Sequence, residues 1–301
     1  GIDHPVRWYG LLFALGFILS QQVMLWIFKK EGKPEKHVEK LTVYMVIAVI
    51  VGARLGHCLF YDPAHYLSNP IEILKIWEGG LASHGGAIGI VFALYLFSRK
   101  YPYSFFWILD RIVIVVALTG AMIRTGNFFN SEMEGTATNS NYGVVYAGYT
   151  KEVFATDEDV ASVAFRRDET QKTEEGKVGL AAVIEYKDGV EVDAQKMAVI
   201  SGNLAFNLRR LTEVNQHLDF GEGQLNYRVT ERDGRAVVEI FGVGTVRHAA
   251  QLYEAAYCVL LMLLLFWLWY KKRDVLPAGF NFSLLLIILW TARFVDEYFK
   301  M

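Results

Sequence analysis

"WYGLLFALGFILSQQVMLWIF", residues 8–28, contains no charged residue, and its polar side chains are not spaced to leave one wet helical face. A helix needs about twenty such residues to cross a ~30 Å hydrocarbon layer. Comparable runs recur at Leu41–Tyr61, Phe105–Ile123, Ala249–Tyr270 and Phe282–Phe299, with a shorter, glycine-broken run at Leu81–Phe97. The pattern predicts an all-α polytopic membrane protein with six spans. One polar stretch interrupts it, giving a membrane part over 1–130, an insertion over 131–246 and a second membrane part over 247–301.

The composition agrees, at 53% hydrophobic and 14% aromatic. A net charge of −2 and the absence of a basic stripe argue against a nucleic-acid partner. Cys58 and Cys258 both fall inside expected spans and read as packing residues. No His/Cys/Asp/Glu cluster has metal-ligand spacing and no phosphate loop is present, so no metal and no cofactor are expected. The opening "GIDHPVRWYG" lacks the basic-then-apolar layout of a signal peptide and reads as starting partway through a longer sequence.

Lysine and arginine set the orientation. "KKEGKPEKHVEK" (29–40), "SRK" (98–100) and "KKR" (271–273) follow the first, third and fifth spans, whereas residues 61–80 after the second carry one lysine. The termini, the 62–80 loop and the insertion are therefore expected on the extracytoplasmic side. Within the insertion, "AAVIEYKDGVEVD" and "NYRVTERDGRAVVEIFG" alternate apolar and polar residues around Asp-Gly, a hairpin signal. The insertion is thus expected to be β-rich, serving as a solvated decoration or as a lid or docking surface.

Ionisable groups are costly in hydrocarbon and mark cavities or partners. They gather at the outer ends of the expected spans. One cluster is Arg7, Trp8 and Tyr9, and another is Arg54 and His57 in "GARLGH". "IRTGNFFNSEMEG" (123–135) supplies Arg124, Asn127, Asn130, Glu132 and Glu134. His84 in "WEGGLASHGGAIGI" (77–90) and "RHAAQLYE" (247–254) open two further spans, and Arg293 and Glu297 lie four apart in "ARFVDEYF". Asp110 and Arg111 sit at the opposite end and read as structural. Clusters at one membrane depth suit one polar cavity, and arginine with asparagine and bare backbone suits a phosphate. At headgroup depth that phosphate belongs to a phospholipid. A histidine there can move a proton near neutral pH. The glycines beside His84 serve either as a site wall or as helix-packing positions.

Taken together, "RTGNFFNSEMEG", "GGLASHGG", "RWYGLLFALGF", "GARLGHCLFYD", "RHAAQLYE" and "RFVDEYFK" resemble, in order, the sequence blocks of the prolipoprotein diacylglyceryl transferases. The resemblance implies transfer of the diacylglyceryl group of phosphatidylglycerol to the lipobox cysteine of prolipoprotein signal peptides. A thioether forms and glycerol 1-phosphate leaves, in the bacterial cytoplasmic (inner) membrane with the site open to the outer leaflet. It implies catalytic roles for His84, Tyr9, Arg124 and Arg293. It implies substrate binding by Asn127, Asn130, Glu132, Gly135, Glu297, Arg54, His248, Gln251 and Glu254. Either His84 or the field around Arg124 and Arg293 would favour the thiolate.

The sequence departs from the family pattern at several points. Ser131 stands where the family usually has glycine, a harmless change where φ is negative, and Thr136 stands where arginine is common. The insertion is longer than expected. The family has a further span after "RFVDEYFK", so a seventh span is expected outside the sequence. Rival readings are a transporter or flippase, an intramembrane protease using Ser83, and a non-catalytic lipid-binding scaffold. The first predicts inverted repeats and polar groups at full depth, and neither is present.

Overall fold

The computed structural model describes residues 8–300 except 172, 194, 199, 201, 203–207 and 209, so Arg7 lies outside the described residues. Among the described residues the helices of six or more residues are α1 (Trp8–Lys30), α2 (Lys36–Phe60), the short α3 (Pro63–Ser68), α4 (Ser83–Lys100), α5 (Phe105–Phe129), α6 (Gly148–Phe154), α7 (Ala250–Lys272) and α8 (Phe280–Asp296). Four of them, α1, α2, α5 and α7, are long and apolar enough to cross a membrane. The other two expected spans correspond to α4, with 18 residues, and α8, with 17. The protein is mostly helical with a small strand region.

The chain divides into two compact units, each discontinuous in sequence. The helical unit comprises Gly10–Ile123 and Ala255–Arg293. Leu11, Leu15 and Ile18 on α1 and Val43, Ile47 and Ile50 on α2 are exposed. Water would penalise so wide an apolar surface, whereas lipid does not. Inside, Ile27, Phe28, Leu41, Leu94, Phe97, Ile108, Leu265 and Trp269 form one buried cluster.

Two Gly-x-x-x-Gly stretches, Gly52–Gly56 and Gly85–Gly89, join α2 to α4. A Cβ on Gly52 would sit 2.5 Å from the Gly85 carbonyl oxygen, and one on Gly56 would sit 2.6 Å from Gly85 Cα. The two backbones meet because no side chain separates them. The glycines around His84 therefore divide by role. Gly85 and Gly89 pack helices, while Gly79 and Gly80, with φ of 89° and 71°, make the turn that leads into α4.

The second unit contains Tyr9, Arg124–Glu254 and the stretch from Phe294 onward. Its centre is a five-stranded antiparallel sheet of β1 (Val160–Arg167), β2 (Lys177–Tyr186), β3 (Leu218–Asp219), β4 (Asn226–Arg232) and β5 (Arg235–Thr245). β5 is central, pairing with β2 along one edge and with β4 and β3 along the other. Leu180, Ala182, Ile184, Val238 and Ile240 turn one face toward Phe154, Phe220 and Val214.

Asp233 and Gly234, with φ of 51° and 77°, close the β4–β5 hairpin in register Arg232 with Arg235. Both central residues of such a two-residue turn need positive φ, which Asp-Gly supplies. The other Asp-Gly, at 188–189, differs from expectation. Residues 190–193 form no strand, and β2 pairs instead with β1 and β5.

Candidate functional site

α5 ends at Phe129, and the chain then reverses through Ser131 and Met133, whose φ values are 54° and 58°. Serine in place of glycine at 131 is harmless where φ is negative, and here φ is positive. The left-handed conformation is the one a glycine adopts without cost and a serine does not.

The reversal brings Glu132 back over α5. Its backbone N–H donates to the Asn127 carbonyl at 2.9 Å. Its carboxylate accepts from Asn127 Nδ2 at 2.8 Å on one oxygen and from Asn130 Nδ2 at 3.2 Å on the other. Asn127 is buried, and Glu132 is exposed. One helical turn earlier, Arg124 Nε lies 2.5 Å from Glu254 Oε2. Glu254 is 3% exposed, and its carboxylate also pairs with Lys300, which lies 3.1 Å from Asp296. Two cations and two carboxylates thus balance in one cluster, with Arg124 19% exposed. A buried charge left without its partner is strongly destabilising, so each member holds the others in place.

Tyr9 closes one side of this region, because a Cβ on Gly126 would come within 2.9 Å of Tyr9 Cα. Gln251, on the first turn of α7, donates from Nε2 to the Glu132 carbonyl at 2.6 Å. Its own carbonyl accepts from the Tyr146 hydroxyl at 2.7 Å. Burial pushes the Tyr146 hydroxyl up to about 12, so it stays a donor throughout the working pH range and fixes which way the amide points.

Gly135 leaves no room for a side chain, since a Cβ there would sit 2.8 Å from both His248 Cβ and the Phe299 carbonyl oxygen. Gly135 bridges to Lys300, and Thr136 N–H donates to the Phe299 carbonyl at 2.9 Å. His248 Nδ1 lies 3.2 Å from the Tyr253 hydroxyl. Arg247 ties this loop to the sheet, donating to the carbonyls of Gly135 at 3.1 Å and Gln216 at 2.8 Å. Glu134 adds a 2.7 Å contact to His217.

The structure therefore places Tyr9, Arg124, Asn127, Asn130, Glu132, Gly135, His248, Gln251, Glu254 and Glu297 in one unit. Regular helix ends at Asp296 and Glu297 opens a 3-10 turn, so Arg293 and Glu297 are not consecutive turns of one α-helix. Arg293, His84 and Arg54 belong to the helical unit. His84 is exposed on the first turn of α4, its ring 5.0 Å from that of Phe60 and 5.9 Å from that of Tyr61. Arg54 is buried and committed to backbone. It donates to the carbonyls of Ile73 (3.0 Å), Glu72 (2.6 Å), Gly79 (2.6 Å) and Gly80 (3.3 Å), and so holds the 62–80 loop in shape.

Sequence reasoning named neither Lys300, Asp296, Arg247 nor Tyr146 as site residues. The first three lie inside the recognised blocks. Tyr146 lies in the insertion and had no such signal. Among the described residues no group of three or more His, Cys, Asp or Glu is arranged to hold a metal. Chemically, the arrangement offers a partly exposed guanidinium beside a rigid amide–carboxylate clamp and nearby backbone, suited to holding an anionic ester.

The family model described as prolipoprotein diacylglyceryl transferase matches residues 2–301. The chain is 54% identical over 142 residues to the phosphatidylglycerol–prolipoprotein diacylglyceryl transferase of Tolumonas auensis, covering 47% of this chain and 55% of that protein. It is 47% identical over 143 residues to the protein of the same name from Chloroherpeton thalassium, covering 47% and 53%. For the Porphyromonas gingivalis protein of that name the identity is 52% over 145 residues, covering 46% and 50%. The chain spans about half the length of these relatives.

Proposed function

The chain belongs to the prolipoprotein diacylglyceryl transferase family, and from that premise we propose that it moves the diacylglyceryl group of phosphatidylglycerol to the lipobox cysteine of prolipoproteins. The observation that carries the reading is the Arg124–Glu254 pair beside the Asn127–Glu132–Asn130 clamp. It combines a guanidinium for a phosphate with rigid walls at the end of a membrane-length helix.

In this reaction the cysteine thiol gives up its proton, and the thiolate sulfur bonds to the glycerol carbon that carries the phosphate. The C–O bond breaks, and glycerol 1-phosphate leaves with the electron pair. The thiolate is the nucleophile, so a base or a positive field must favour it. His84 is the proposed base, with Arg124 and Arg293 supplying the field and holding the phosphate as charge develops on it. Tyr9 faces the same reacting group. Asn127, Asn130, Glu132, Gly135, His248, Gln251, Glu254 and Glu297 shape the lipid seat, and Arg54 acts through the loop it fastens.

The same reading assigns six spans, with α4 and α8 as the two shorter ones, and it places the lysine-rich ends in the cytoplasm. The sheet and the clamp then face the outer leaflet of a bacterial inner membrane. Residues 1–130 and 247–301 form the membrane domain, and 131–246 form an extracytoplasmic insertion whose Gly135 and Gln216 carbonyls accept from Arg247, the first residue after it.

The test is release of glycerol 1-phosphate from phosphatidylglycerol vesicles in the presence of a lipobox peptide. Arg124→Ala is expected to lower kcat by roughly 10²–10³-fold, the loss typical of a group that stabilises developing charge. His84→Gln separates the two routes to the thiolate. Loss of rate that recovers at high pH assigns the base to His84, while an unchanged pH profile assigns activation to the arginines. No release by the parent chain would overturn the proposal.

A further inference from the structure

Beyond the transfer site, the helical unit holds a cavity of about 150 Å³ at its lysine-rich end, beneath the turn that joins α7 to α8. Trp107 and Trp269 form walls, and Asp110, Arg111, Arg273 and Asn281 supply polar groups. None of the residues assigned to diacylglyceryl transfer lines it.

Two of the charged groups are already spoken for. Asp110 caps α8, accepting from Gly279 N–H at 2.7 Å and from Phe282 N–H at 3.0 Å. Arg111 makes a forked pair with Glu31 at 2.9 and 3.1 Å, and Trp269 Nε1 donates to the same carboxylate.

Each of the remaining two polar side chains keeps one buried atom without a hydrogen-bond partner, although the Arg273 guanidinium also lies over the Trp269 ring, 5.3 Å from its centroid. Arg273 Nη1 is shut off from solvent and has no hydrogen-bond partner among the described residues. Its Nε lies 3.8 Å from the exposed Asp274, which holds it weakly. Asn281 is 5% exposed. Its Nδ2 donates to the Leu265 carbonyl at 3.4 Å, which fixes the amide so that the buried Oδ1 is left without a partner. Native proteins leave few buried polar atoms unpaired, and an unpaired set around a cavity marks a missing partner. A ligand complementary to both atoms would bring an acceptor for Arg273, best an anionic one, and a hydroxyl or ammonium donor for Asn281.

The same end of the unit is basic and aromatic. Lys33 lies over the wall residue Trp107, and Lys30 and Lys271 lie over Tyr270, next in sequence to the wall residue Trp269, the kind of setting that anionic headgroups favour. The volume admits a phosphoglycerol unit but not its acyl chains. We propose that this cavity binds a glycerophosphate group, either the headgroup of an anionic phospholipid or a free glycerol phosphate. A phosphate oxygen accepts from Arg273 and a hydroxyl donates to Asn281.

The test counts phosphatidylglycerol molecules retained by the chain in native mass spectrometry, each variant being compared in an Arg124→Ala background, so that turnover is suppressed and any lipid held at the transfer site is common to both. Phosphatidylcholine and free glycerol 1-phosphate are run beside it. The background chain is expected to keep one phosphatidylglycerol in preference to phosphatidylcholine. Arg273→Gln and, independently, the volume-conserving Asn281→Asp are expected to weaken that binding tenfold or more. Asn281→Asp puts a carboxylate where the ligand sits, so it acts without emptying the cavity. Displacement by glycerol 1-phosphate assigns the site to the free phosphate ester, and retention despite it assigns the site to the lipid. Retention unchanged by both substitutions, or equal retention of phosphatidylcholine, overturns the proposal. Because the Arg124→Ala background is already impaired in transfer, failure here is separate from failure of the transferase reading.

Discussion

Ser131 and Met133 hold φ of 54° and 58° in the reversal that positions Glu132. Ser131→Gly is expected to stabilise the protein by about 0.5–1 kcal/mol, because the left-handed conformation costs glycine nothing. The check is the Tm of the purified variant, which should rise with transfer intact. A lower Tm would show that the Ser131 side chain itself stabilises the reversal. Tyr146 makes the complementary case. Tyr146→Phe leaves the Gln251 carbonyl, in a residue only 1% exposed, without its donor. The expected cost is about 1–2 kcal/mol of stability, seen as a lower Tm together with a raised KM for lipid. At this scale the sequence marks Arg124, Asn127 and Glu132 as polar groups at the end of an apolar run, inside a block that resembles the family's. It does not show the sign of φ at Ser131 or the Tyr146–Gln251 bond, which depend on residues 105 positions apart.

Among the elements, α2 and α4 depend on glycine for their close approach. Gly85→Val would place branched carbon where a Cβ already falls 2.6 Å from Gly56 Cα, so the helices must separate. A loss of about 1–3 kcal/mol is expected, as for other overpacked contacts, and a cysteine crosslinking scan between α2 and α4 should report the separation.

The sheet carries its own pH dependence. Asp188 is held below the usual carboxylate range by its bond from Arg235, Asp159 by Lys196 and Asp168 by Thr170. Each carboxyl lies below its unfolded value, so its contribution is complete above the ordinary carboxylate range of about 4 and is lost as pH falls through the folded value. Limited proteolysis should therefore cut the sheet somewhat more readily as the pH falls below about 4 than at pH 6. Equal sensitivity at both would remove these bonds from the account.

Element type was legible where the cue was local. The uncharged runs gave helices, and Asp233-Gly234 gave its turn. The equivalent cue at 188–189 produced no hairpin because β1 and β5 occupy both edges of β2, and a local pattern does not encode that non-local competition.

For the whole molecule, the order of blocks along the chain makes the family readable, and the division into units does not follow that order. Tyr9, Arg124–Glu254 and the stretch from Phe294 onward belong to one unit although they come from separate parts of the chain. Buried charge explains part of this gathering. Glu254, Asp296, Lys300 and Arg124 satisfy one another only when brought together. Glu254→Gln should cost about 3 kcal/mol, because it leaves cations without their shared carboxylate. Transfer should fall with it, and the reciprocal Lys300→Met should be harmful for the same reason.

The most direct test of the central claim is the mass of a lipobox peptide after incubation with the chain in phosphatidylglycerol vesicles. The account predicts the gain of one diacylglyceryl group on the cysteine sulfur, with the glyceryl carbon–sulfur bond surviving alkaline treatment that strips the ester-linked acyl chains, and no gain on a cysteine-to-serine peptide. No gain on the cysteine peptide while the protein retains bound lipid, or an equal gain on the serine peptide, would contradict it.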